Sequence, residues 1–82
     1  MELTDWTYGK QKQVKAWFSD FPHSTVVMRS LSDYYFIYMI DWSDRDQPVH
    51  RHDLEEMEQI MNDEMGTLQQ YEARLSKRRL DT

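Results

Sequence analysis

The residues of this 82-residue chain that are best equipped for chemistry stand near its middle: His50, His52 and Asp53, with Asp44 and Asp46 a few positions earlier. On an extended strand His50 and His52 share a face, because side chains two apart point the same way. Imidazole with carboxylate suits zinc or manganese. The pattern stops there. No second pair of ligands follows at a metal-site spacing. Asp53 stands where a helix cap is wanted, and Asp44-Arg45-Asp46 lacks the glycine and the distal glutamate of a calcium loop. No metal ligand and no cofactor is assigned.

Hydrolytic and transfer chemistry find even less to work with. The chain has no cysteine, no Gly-x-Ser-x-Gly turn and no glycine-rich phosphate loop among its two glycines. His23 follows Pro22 without an evident acidic partner to orient it. Glu55 and Glu56 are neighbours, which on a helix point apart and do not face each other as an acid and a base must. A chain this short also has little material with which to enclose a water-excluding pocket. No catalytic residue is assigned, and the chain reads as non-enzymatic.

The elements that would position these residues follow from periodicity. Val14, Trp17, Phe18 and Phe21 fall at i, i+3, i+4 and i+7, which predicts an amphipathic helix over about 7–20, closed by Pro22. Residues 25–29 and 34–40 are rich in β-branched and aromatic side chains and read as two antiparallel strands, joined through 30–33. A short third strand around 47–51 would be held to an edge by Pro48. Asp53 with Glu56 resembles a capping box. Leu54, Met57, Met61, Leu68, Tyr71 and Leu75 then continue at the a and d positions of a heptad. Gly66 is either a weak point in one long helix or the break between two. The expected fold is α+β: an N-terminal helix, an antiparallel β-hairpin with a short third edge strand, and a long C-terminal helix. It forms a single domain over 1–82, with 76–82 a frayed basic tail.

Composition bounds the setting. The absence of cysteine excludes disulfides and thiolate metal sites and points to a reducing, cytoplasmic compartment. The first residues show no signal-peptide pattern. The longest apolar run, 34–40, is far short of the roughly 20 residues a membrane helix needs.

Charge is more informative than composition. Ten basic against fifteen acidic residues leave a net −5, but the excess is local. Residues 1–40 are neutral, 41–64 carry −7 and 65–82 carry +2. The α-β-β-β-α order is shared with double-stranded RNA-binding domains, which need lysines at the start of the last helix to meet phosphates. Here Asp53, Glu55, Glu56 and Glu58 stand there instead, so direct nucleic-acid binding is disfavoured. The sharper reading is that Asp44, Asp46, Asp53, Glu55, Glu56, Glu58, Asp63 and Glu64 form an acidic surface for a basic, nucleic-acid-binding protein partner. In size and charge the chain is similar to small acidic phage proteins that inhibit restriction and CRISPR complexes. The alternative is a structural or regulatory homodimer. It would be joined through Tyr35, Ile37 and Met39 on one face of the hairpin, or through Leu68, Tyr71 and Leu75 on the helix.

Overall fold

A computed structural model describes residues 1–31 and 33–80. Four strands come first, β1 (Leu3–Tyr8), β2 (Gln13–Phe18), β3 (Phe21–Leu31) and β4 (Tyr34–Asp41). Two helices follow, α1 (Arg51–Met65) and α2 (Leu68–Leu80). The sheet is an antiparallel meander in the order β1-β2-β3-β4.

The N-terminal helix expected over 7–20 does not form; β1 and β2 make a hairpin there. Val14, Trp17, Phe18 and Phe21 satisfy a helical spacing, but Val14, Ala16 and Phe18 satisfy a period of two equally well, and periodicity cannot separate the two in so short a run. Tertiary pairing decides it. Val14 lies opposite Tyr8 and Met28, and Ala16 opposite Trp6 and Val26. Gly9 and 10–12 make the turn, with Gly9 N–H donating to Gln13 O at 2.8 Å and Gln13 N–H to Lys10 O at 3.0 Å. Gln11 and Lys12 sit in the left-handed region, at φ 55° and 62°.

The third edge strand expected over 47–51 is also absent, as 47–50 are irregular and Arg51 opens α1. The two strands expected from β-propensity are present and longer, as β3 and β4. The long C-terminal helix is divided. Gly66 adopts φ 76° and ψ 20°, and its N–H and that of Thr67 donate to Asp63 O and Asn62 O, which closes α1. Of the tail expected to fray, 76–80 are helical and 81–82 lie outside the described residues, as does Ser32 of the β3–β4 connection.

One face of the sheet carries the core. Val14, Ala16 and Phe18 of β2 and Phe21, Val26 and Met28 of β3 are buried against Met57 and Met61 of α1. The two methionines are four residues apart and so lie on one side of the helix. A bulge in β4 sets the rest. Val27 pairs with Met39 and Met28 with Ile37, so Tyr38 is an extra residue. Simple alternation would place Ile40 with Tyr38 and Phe36; the bulge instead turns Tyr35, Ile37 and Ile40 toward the helices, where they pack on the core. Tyr38 and Met39 are left about half exposed, at 52% and 51%.

Candidate functional site

The loop and the start of α1 assemble first around Ser24, which is buried at the beginning of β3. Its hydroxyl donates to Asp46 Oδ2 at 2.6 Å and accepts from Ser43 N–H at 3.0 Å, while Asp46 also receives His23 N–H at 3.1 Å. Asp46 therefore ties the 42–50 loop to β3. Asp53 is likewise engaged. It is not the N-cap of α1 but the third helical residue, where its Oδ2 accepts His50 N–H at 2.9 Å. A carboxylate there also suits the positive end of the helix dipole. His50 and His52 stack with ring centroids 5.6 Å apart, and His52 Nε2 lies 3.4 Å from Asp53 Oδ1. Among the described residues, no three His, Asp or Glu side chains converge as metal ligands would.

A third acid is consumed further along α1. Glu58 Oε2 accepts Ile37 N–H at 2.8 Å, and its Oε1 accepts the Tyr71 hydroxyl at 3.0 Å. One turn later Asn62, fully buried, exchanges two bonds with Tyr35. Its Oδ1 accepts Tyr35 N–H at 2.7 Å and its Nδ2 donates to Tyr35 O at 2.8 Å. Nδ2 also donates to Glu58 O and Oδ1 accepts from Thr67 Oγ1, each at 2.7 Å, so both donors and both acceptor sites of the amide are used. The edge of β4 is thus paired by side chains of α1 in place of a fifth strand, a cover for an otherwise sticky edge. Sequence reasoning missed Asn62. The signal was a polar residue inside the apolar stripe, directly after Met61.

Asp46, Asp53 and Glu58 therefore hold the fold together. Glu55 is paired with Arg51 at 3.7 Å. Asp44 is exposed on the loop, apart from the helix. Glu56, Asp63 and Glu64 are exposed, at i, i+7 and i+8 along one side of α1, with Glu56 Oε1 also 3.8 Å from the N-terminal ammonium of Met1. Asp63 and Glu64 border a groove of about 320 Å³ with Asp5, Trp6 and Leu3 of β1. This acidic stretch beside an unpaired sheet edge is what the structure assembles from the eight acids singled out in the sequence.

The six candidate contact residues are also dispersed. Tyr35 and Ile37 face the helices, and Tyr71 is buried against Tyr34, with ring centroids 6.4 Å apart. Ile37, Tyr71 and Leu75 meet in a cleft of about 270 Å³ that also takes in Phe36 and Arg74. Leu68 is partly buried. Met39 alone lies on the uncovered face of the sheet.

These features define a two-layer α+β protein, a four-stranded antiparallel meander with helices on one face and the other face bare. Among the described residues, no helix is long and apolar enough to cross a membrane. The family model described as uncharacterised protein YuzH matches residues 2–76, and the chain belongs to that family. Neither the curated proteins nor the solved structures contain a significant match to it.

Proposed function

We propose that this protein is a non-enzymatic, acidic interaction protein of the cytoplasm that docks the outer side of α1 on a basic, nucleic-acid-binding protein, as a phage-type inhibitor or regulator does. The observation that carries the reading is the exposed set Glu56, Asp63 and Glu64, continued by Asp5 across the groove to β1. Carboxylates spaced along a helix present a line of negative charge to a surface built for phosphates, and such a field speeds encounter with a basic partner. The remaining acids of the −7 block are engaged in the fold or stand apart from this line, so the docking surface is narrower than the sequence implies.

The test uses the full chain as bait in its native cell extract, beside a variant carrying Glu56→Gln, Asp63→Asn and Glu64→Gln. The expected result is capture of a basic, nucleic-acid-binding protein that duplex DNA or RNA displaces and that the neutralised variant fails to retain. Equal capture by both baits, or capture indifferent to salt and to nucleic acid, refutes the proposal.

A further inference from the structure

The helices leave one face of the sheet uncovered, and its chemistry is unlike that of the rest of the surface. Lys15, Val27 and Met39 lie side by side across β2, β3 and β4, with Trp17, Thr25 and Asp41 in the next row, and together they border a shallow depression of about 370 Å³ whose floor is the buried Val27. Trp17 is fixed in place by its Nε1–H, which donates to Thr25 Oγ1 at 2.9 Å. Arg29 lies over the Tyr38 ring, its guanidinium carbon 4.8 Å from the centroid. Trp17 and Arg29 are therefore held in position before any contact, so these two side chains lose little ordering entropy on it.

Its charges are arranged by sign. Lys15 and Arg29 stand toward the end bearing the β1–β2 turn, where Lys10 and Lys12 add to them, and Asp41 of β4 and Asp5 of β1, the latter paired with Trp17, stand toward the opposite end. A surface binding single-stranded nucleic acid through aromatic rings needs positive charge along the whole strand path, and Asp41 interrupts it. A two-fold interface has the opposite requirement. It joins one patch to itself and so needs both signs within that patch.

We propose that the open sheet face is a self-complementary interface, occupied by a second copy of this chain in a face-to-face β-sandwich. A two-fold axis lying in the interface and running across the strands brings the basic end of one copy over the acidic end of the other. Trp17, Val27 and Met39 of the two copies then pack at the centre, with the sheets about 10 Å apart. Four strands at about 4.8 Å spacing and about 20 Å long offer roughly 400 Å² per copy. That is about 800 Å² in total, below the roughly 1,000 Å² of a stable interface, so the dimer is weak and concentration-dependent. This face lies on the opposite side of the sheet from α1, and the proposal does not depend on what the acidic helix binds.

The test is sedimentation equilibrium of the full chain from about 10 μM to about 1 mM, a range that brackets affinities expected of small interfaces. The intact protein is expected to pass from monomer to dimer over this range. Met39→Glu, at a half-exposed position the fold tolerates, is expected to remain monomeric with an unchanged circular dichroism spectrum. Lys15→Glu alone sets an acid beside Arg29 at the basic end, and Asp41→Lys alone sets a cation at the acidic end; each is expected to weaken the dimer at least about tenfold. An equimolar mixture of these two variants restores attraction at both ends and is expected to form a heterodimer. A strictly monomeric parent protein, or a dimer that Met39→Glu leaves intact, overturns the proposal. So does a mixture that stays monomeric, or binding of a labelled single-stranded oligonucleotide that Met39→Glu abolishes.

Discussion

Replacing Asn62 with alanine isolates the device that closes the β4 edge. The substitution removes four hydrogen bonds together: the two exchanged with Tyr35, one to Glu58 O and one from Thr67 Oγ1. Glu58 O retains its place in the helix and Thr67 can turn to water, so the cost falls mainly on Tyr35. Its N–H and C=O lose their partners beneath α1, at roughly 1–3 kcal/mol for each buried group left unsatisfied. Water reaching the partly exposed edge recovers some of this, so the expected loss is about 2–4 kcal/mol. An 82-residue domain has only about 4–12 kcal/mol in total. At about 4–8 °C per kcal/mol for a chain of this size, Tm should fall by roughly 10–25 °C. Asn62→Asp separates donors from acceptors. It keeps an oxygen for Tyr35 N–H but sets a carboxylate against Tyr35 O and Glu58 O, and is expected to be at least as damaging as alanine. Thermal unfolding by circular dichroism, checked by urea titration, reads both. A loss below about 1 kcal/mol in Asn62→Ala, or an Asn62→Asp protein as stable as the parent, would refute the view that this amide stands in for a neighbouring strand.

Two further predictions concern the backbone. Gly66→Ala meets open space, with nothing within 4 Å of the added Cβ, but forces a left-handed residue at φ 76°. It should cost about 1 kcal/mol, read by urea unfolding, and an unchanged midpoint would show that the α1–α2 break does not need this conformation. Lys12→Gly acts in the reverse sense at φ 62°. It should raise Tm by about 2–6 °C, since relief of left-handed strain outweighs the added freedom of the unfolded chain.

Legibility varied along the chain for identifiable reasons. β3 and β4 were readable because Val26, Val27 and the run 34–40 are strong β-formers with no competing helical spacing. β2 was misread because Ala16, small and weakly apolar, hid the alternation that Val14 and Phe18 continue. β1 offered less, since Thr4, Asp5 and Thr7 interrupt its apolar residues, and only pairing with β2 makes it a strand. The bulge at Tyr38 was invisible, because one extra residue in a run of seven apolar ones changes no pattern. Yet it decides which of Ile37, Tyr38, Met39 and Ile40 reach the core. The acidic block was legible as a quantity but not as a place. Nothing in the spacing of Asp46, Asp53 and Glu58 says that they accept hydrogen bonds from backbone or hydroxyl groups, because those donors come from distant parts of the chain.

The two edges of the sheet show what this division of carboxylates accomplishes. At β4, Glu58 and Asn62 satisfy backbone groups that would otherwise invite another strand, and α2 lies alongside through Tyr71. At β1, among the described residues, no helix side chain takes up the edge in the same way. The strand is six residues long, carries an irregularity between Leu3 and Asp5, and runs beside Asp63 and Glu64. Short length, a bulge and nearby like charge all discourage edge-to-edge pairing between copies. Acidic edges repel one another, which disfavours pairing through β1; the dimer proposed above uses the open face instead, where both signs of charge are present. The same acids are the ones the proposed basic partner would meet at the β1–α1 groove. The two proposed surfaces thus lie on opposite sides of the sheet and meet at Asp5, so Glu56, Asp63 and Glu64 test the one and Met39 the other.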